Sequence, residues 1–187
     1  PTKHQLNKLF DRYFYAISSS KHVENIVEHC NQCNSLKKLD KELFEQSSTP
    51  SPTAPGKQFA SDVIQRYTQC IFATRDVHTS YTTALIVPNQ RSDIMRNAIL
   101  DSTSLIRLPS CSVRIDNAPG LLPLKDDALL ASQGIKLEFG RVKNINKNPV
   151  AERNNQELEL ELNRIDPSGS PVSNSTLQQA VKSLNMK

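Results

Sequence analysis

The hydrophobic pattern changes character part-way along the chain. Up to residue 45 the apolar positions recur at helical spacing. Leu6, Leu9, Phe10, Tyr13, Phe14 and Ile17 form one stripe, and Val23, Ile26 and Val27 form a second after the break at Ser18-Ser19-Ser20. Two short helices within 4–32 follow from this, with the serines able to cap the second. Residues 46–56 are rich in Ser and Pro and show no period, so they read as a linker. Beyond it the texture turns to strands: a short mixed one at 59–64, β-rich runs at 69–74 and 82–87, and further strands at 112–115 and 135–142. Helical periods fill 92–105, 122–132, 149–165 and 176–186, with Pro149 at a first helical position. Three strands, then helix, strand, helix, strand, helix is a mixed α/β layer fold and not a doubly wound one. The domains are therefore a helical one at 1–45, a linker at 46–57 and an α/β domain at 58–187.

Within 149–165, Ala151, Leu158, Leu162 and Ile165 share one arc and predict the buried stripe. Glu152, Gln156, Glu159 and Asn163 occupy a separate arc roughly 100° away, which aims Glu152 along the edge of the domain.

Composition narrows the picture only a little. The 187 residues are 37% hydrophobic and 22% charged, ordinary for a globular protein, with a formal charge of +4 that permits nucleic acid as a partner. No run approaches the roughly 18 apolar residues of a membrane span, so no membrane partner is expected. No secretory signal is visible and the chain does not begin with Met, which reads as a piece of something longer. The four cysteines do not make a secreted disulfide framework. Cys70 and Cys111 read as small buried apolar residues, and a reducing intracellular compartment fits.

The candidate chemistry lies in three carboxylates. Asp116 ends the strand Ser112-Val113-Arg114-Ile115 and enters the turn Asn117-Ala118-Pro119-Gly120. Glu152 opens a helix in Asn148-Pro149-Val150-Ala151-Glu152-Arg153, with 35 residues between it and Asp116. Asp62 lies in the first strand with 53 residues before Asp116; Asp76, at the end of the next strand, competes for its place. If the first and fourth strands are neighbours, Asp62 stands beside Asp116. Three packed carboxylates repel one another unless cations neutralise them, and an all-oxygen set selects magnesium or manganese. Lys136, Arg141, Lys143, Lys147 and Arg153 surround the start of that helix, a charge pattern suited to phosphates.

A second constellation is His29-Cys30-Asn31-Gln32-Cys33. A Cys-x-x-Cys pair is half a zinc site, a redox pair or chance; closing a helix rather than opening one favours zinc. Phe10, Tyr13, Phe14 and Tyr15 read as the small core of this domain.

The two acidic segments, Val113-Arg114-Ile115-Asp116-Asn117 and Asn148-Pro149-Val150-Ala151-Glu152-Arg153, resemble the second and third acidic motifs of retroviral and LTR-retrotransposon integrases, the gypsy-type integrases of animal retrotransposons most of all. The resemblance runs from His4 to about Ile165. It implies a small helical zinc-binding domain followed by an RNase H-like core with a five-stranded mixed sheet, and a catalytic set of Asp62, Asp116 and Glu152 holding two Mg²⁺ or Mn²⁺ ions. It implies 3′-end processing and strand transfer of the element's DNA into target DNA, homo-oligomers and a nuclear location. Lys143, Lys147, Arg153, Gln156 and Glu159 are the implied DNA contacts. His4, with Cys30 and Cys33, is implied as a zinc ligand, the first His of the family's pair preceding residue 1. The chain departs from the pattern at Ala118-Pro119 after Asp116 and in the loop 140–148. Rivals are another RNase H-like nuclease or transposase, a domesticated or decayed binding module without catalysis, and a small zinc-binding interaction domain.

Overall fold

The structure, a computed structural model, describes residues 3–16, 18–31, 52–140 and 148–187. The chain divides into two compact units, Pro1–Leu43 and Phe44–Met186.

The first unit contains helices α1 (Lys3–Tyr13) and α2 (Ser19–Glu28), joined by an ion pair between Lys3 and Glu24. Ser18 occupies the position before α2 in a left-handed conformation (φ 62°), and its side chain makes no capping bond, so its role is to turn the chain. The aromatic residues do not form the expected core. Tyr13, Phe14 and Tyr15 are 63%, 66% and 97% exposed, and Val23 is the one buried residue of the two helices. Two helices of about three turns bury too little to cover an apolar stripe on their own. Phe10 keeps a ring contact with Phe14, centroids 5.4 Å apart.

The second unit is a three-layer sandwich. Its strands are β1 (Gln58–Arg66), β2 (Gln69–Asp76), β3 (Thr82–Val87), β4 (Cys111–Ile115) and β5 (Ile135–Phe139), in the spatial order β3-β2-β1-β4-β5. β1–β2 and β2–β3 are antiparallel; β1–β4 and β4–β5 are parallel. Helix α3 (Ser92–Thr103) packs on β2 and β3. Helix α5 (Pro149–Ile165) packs on β1 and β2, and α6 (Asn174–Asn185) on β3 and α5. The alternation of side chains along β2 feeds both layers. Phe72 enters one core with Phe59, Met95, Ile99, Val113 and Ile115. Ile71 and Ala73 enter the other with Ile64, Leu158, Leu162, Leu177 and Leu184. A strand buried on both faces explains the unbroken apolar run.

The expected helix at 122–132 is two pieces: a 3-10 turn, Leu122–Leu124, and α4, Ala128–Ser132. Between them Asp127 is extended, and its carboxylate accepts from the backbone N–H groups of Leu129 (3.0 Å) and Leu130 (3.1 Å). That cap restarts the helix. Arg96 holds the carboxylate from the side at 2.8 Å. The bonds from the Leu130 N–H and then Arg96 outweigh burial and hold the Asp127 carboxyl below the usual range. The fifth strand ends at Phe139; residues 141 and 142 lie outside the described ones.

Two further expectations need correction. Ile165 is 36% exposed, because α5 ends there. Glu161 is buried beside Ala151, Leu158 and Leu162, paired with Arg164 one turn on. Cys111 is buried, but Cys70 is only half-buried and donates to the Gln65 side-chain oxygen at 3.3 Å.

Candidate functional site

The three candidate carboxylates sit on three different elements. Asp62 is in β1, Asp116 directly follows β4, and Glu152 is the fourth residue of α5. The paired residues of β1 and β4 run Gln58–Ser112, Phe59–Val113 and Ala60–Arg114. Asp62 and Asp116 each lie two residues beyond the last pair of that register, at the same end of the β1–β4 seam. Asp62 shares the alternation of Ile64, which faces the α5 layer. It also accepts a hydrogen bond from the Asn155 side-chain amide of α5 at 2.8 Å. Burial pushes the Asp62 carboxyl above its ordinary range, and the charges of Asp116 and Glu152 push the same way. The Val63 N–H, at 2.8 Å, and Asn155 oppose the shift. The carboxylates thus lie within electrostatic reach of each other.

Asp76 is occupied elsewhere. It is fully buried, and its carboxylate accepts from the Gly56 N–H (2.9 Å), the Thr79 N–H (2.8 Å) and the Thr79 hydroxyl (2.6 Å). It shares the alternation of Phe72 and Thr74, which face α3. Its task is to lock the β2–β3 turn and the entry into β1.

Three side chains that the spacing of acids does not reveal shape the junction. Asn148, 2% exposed, donates from one amide nitrogen to the carbonyls of Ser61 and Arg114, each at 3.2 Å. Its own carbonyl accepts the Glu152 N–H at 3.0 Å. Asn155 holds Asp62 as described, and Asn117 donates to the Gly140 carbonyl at 2.8 Å, tying the turn after Asp116 to the end of β5. The sequence signal is the crowding of asparagines around Glu152 in Asn148-Pro149-Val150-Ala151-Glu152-Arg153-Asn154-Asn155. The turn is fixed from the other side by Gly120, where a Cβ would lie 1.7 Å from the Gln90 carbonyl oxygen.

Among the described residues five buried side-chain polar atoms lack a hydrogen-bond partner; Asp116 Oδ1, Asn148 Oδ1 and Asn155 Oδ1 belong to this junction, and the other two are nitrogens, Asn154 Nδ2 and Arg164 Nε. The amide orientations of Asn148 and Asn155 are dictated by the acceptors their nitrogens meet, so both orphans are oxygens. Oxygen-only acceptors suit a hard hydrated cation. Among the described residues, however, no three His, Cys, Asp or Glu side chains are drawn close enough to hold one ion. The donor chemistry of the three carboxylates fits magnesium or manganese.

The predicted DNA contacts are spread along α5. Arg153, Gln156 and Glu159 are exposed. Arg153 bonds Glu157 at 3.1 Å, and Arg75 reaches the other oxygen of that carboxylate at 2.6 Å. Burial raises the Glu157 carboxyl, but Arg75 and then Arg153 outweigh it and hold it below the usual range. Asn163, placed by sequence on the same arc, instead accepts from buried Arg66 at 2.8 Å and anchors the end of α5. Lys143, Lys147 and Arg141 lie outside the described residues, as does Cys33; of the proposed zinc ligands, His4 is exposed and Cys30 half-buried. Among the described residues no helix is long and apolar enough to cross a membrane.

This strand order and helix placement define the fold of an integrase catalytic core. The chain resembles the crystal structure of the BIV integrase catalytic core domain, with a TM-score of 0.56 and 18% identity over 68% of this chain and 82% of that one. It also resembles a chain of the simian T-cell lymphotropic virus intasome in complex with the PP2A regulatory subunit B56 gamma, with a TM-score of 0.64 and 15% identity. That match covers 88% of this chain and 60% of the other, so the protein spans less than two thirds of the length of that neighbour. No protein-family profile and no curated protein matches the sequence.

Proposed function

We propose that the protein is an integrase-type polynucleotidyl transferase that acts on the DNA ends of a retroelement. The observation that carries this reading is the parallel pairing of β1 with β4, which puts Asp62 and Asp116 on neighbouring strands under the α5 helix that bears Glu152. Asp62, Asp116 and Glu152 hold Mg²⁺ or Mn²⁺. Such cations supply neutralisation of the carboxylates, activation of an attacking oxygen and stabilisation of the leaving oxygen. The protein's own groups do the rest. Asn155 orients the Asp62 carboxylate, and the exposed polar edge of α5 (Arg153, Gln156, Glu159) meets the DNA together with Lys143 and Lys147. Water first trims the 3′ end, and the freed 3′ hydroxyl then attacks a target phosphodiester. The gypsy-type assignment, zinc on His4, Cys30 and Cys33, a homo-oligomer on paired DNA ends and a nuclear location belong to the same proposal.

The test is strand transfer with labelled duplex DNA ending in the element's terminal sequence, in Mg²⁺ or Mn²⁺, with Asp116→Asn as control. Joined product that disappears in the variant supports the proposal. DNA binding without product replaces it with a domesticated or decayed binding module.

A further inference from the structure

The backbone ladder between β1 and β4 stops at the Ala60–Arg114 pair, just short of both aspartates. From there the strands no longer hold each other through their backbones, although Asp62 and Asp116 repel one another across the gap. Among the described residues, one side chain bridges the place. The Asn148 amide nitrogen has two hydrogens, and it places one on the Ser61 carbonyl of β1 and one on the Arg114 carbonyl of β4. The same residue begins α5, its carbonyl receiving the Glu152 N–H in the first turn. One buried residue thus touches the backbone of all three elements that carry the carboxylates, within two residues of each aspartate.

We infer that Asn148 is a positioning residue that sets the mutual spacing of Asp62, Asp116 and Glu152 and so tunes the cation affinity of the site. This rests on the proposed cation-binding role of those carboxylates. A primary amide supplies two donors from one neutral nitrogen, so alanine loses both bonds and serine keeps one at most. The remaining Asn148 oxygen, buried and without a partner, is free to accept from water on a bound cation.

The experiment measures Mn²⁺ binding to DNA-free protein by electron paramagnetic resonance, with unfolding temperature in EDTA recorded alongside. Asn148→Ala should weaken Mn²⁺ binding by about 10- to 100-fold, the range typical of residues that orient metal ligands. Asn148→Ser should fall between it and wild type, and serves if the alanine variant does not fold. Thr82→Ala is the structural control. It removes the buried hydroxyl that donates to Asn154 at 2.8 Å and so ties the same helix to β3, at a place away from the seam. It should lower the unfolding temperature and leave Mn²⁺ affinity within about twofold. Asp116→Asn should abolish binding. If both Asn148 variants bind Mn²⁺ within twofold of wild type while Asp116→Asn does not bind, the inference about Asn148 is overturned alone. If wild type fails to bind, or Asp116→Asn binds as wild type does, the carboxylate site falls and this inference with it.

Discussion

Asp76 and Asp62 are both partly legible in sequence as the first acid of the site, and a single substitution separates their roles. In Asp76→Asn the side chain keeps its shape but replaces one acceptor oxygen by an NH₂ group. The best arrangement leaves the remaining oxygen on the Thr79 N–H and hydroxyl and turns the NH₂ toward the Gly56 N–H, donor against donor. Gly56 has no room to retreat: it is left-handed (φ 72°), and its Cα position is pressed against the Ile106 carbonyl, which a Cβ would meet at 1.8 Å. The loss is one charge-assisted hydrogen bond plus one buried unsatisfied donor, about 2–3 kcal/mol. For a domain of this size that is roughly 4–12 °C in unfolding temperature. Circular dichroism melts in EDTA measure it without interference from bound cation, and Mn²⁺ affinity of the folded variant should stay near wild type. An unfolding temperature within about 2 °C of wild type, with Mn²⁺ binding lost, would refute the structural assignment of Asp76 and put it in the site.

Two other outcomes are expected. The folded Asp62 carboxyl is raised above its unfolded value, so the native state binds the extra proton and apo stability declines as pH rises through the window above about 3.8. Asp62→Asn removes that ionisation; in EDTA it should melt above wild type near neutrality, by a margin that shrinks on acidification. A margin independent of pH would contradict the charge origin of the effect. Gly120→Ala forces a methyl to 1.7 Å from the Gln90 carbonyl. It should cost about 1–3 kcal/mol and displace the turn behind Asp116, read as a lower melting temperature and weaker Mn²⁺ binding together. Unchanged values for both would show that the turn moves freely.

The order of elements in the α/β unit was readable because each buried strand leaves a run and each break leaves turn chemistry. β2 reads as a continuous apolar segment because Ile71, Phe72 and Ala73 serve two cores. The start of α5 was marked by Pro149. Less readable was whatever depends on a partner distant in sequence. Asp127 looks like one more surface acid until its carboxylate is seen capping α4. Glu161 is buried with its carboxylate paired to Arg164, a partner the helical period does not announce. The aromatic stripe of α1 has the right period for a core, but periodicity identifies a face and not what covers it. The candidate acids were chosen by residue type and spacing, whereas Asn148 touches two main-chain carbonyls, and no spacing rule encodes those contacts.

The sheet joins two kinds of neighbour. β1, β2 and β3 are sequential antiparallel strands that close through short local turns, while β1 meets β4 only after some fifty intervening residues. Local pairings form fast and distant parallel ones slowly, so a nascent chain completes the three-stranded meander before the fourth strand docks. Until then Asp62 lacks its neighbour across the β1–β4 seam. Glu152 arrives later still, on α5, so the three candidate carboxylates come together only after β4 and then α5 have joined the sheet.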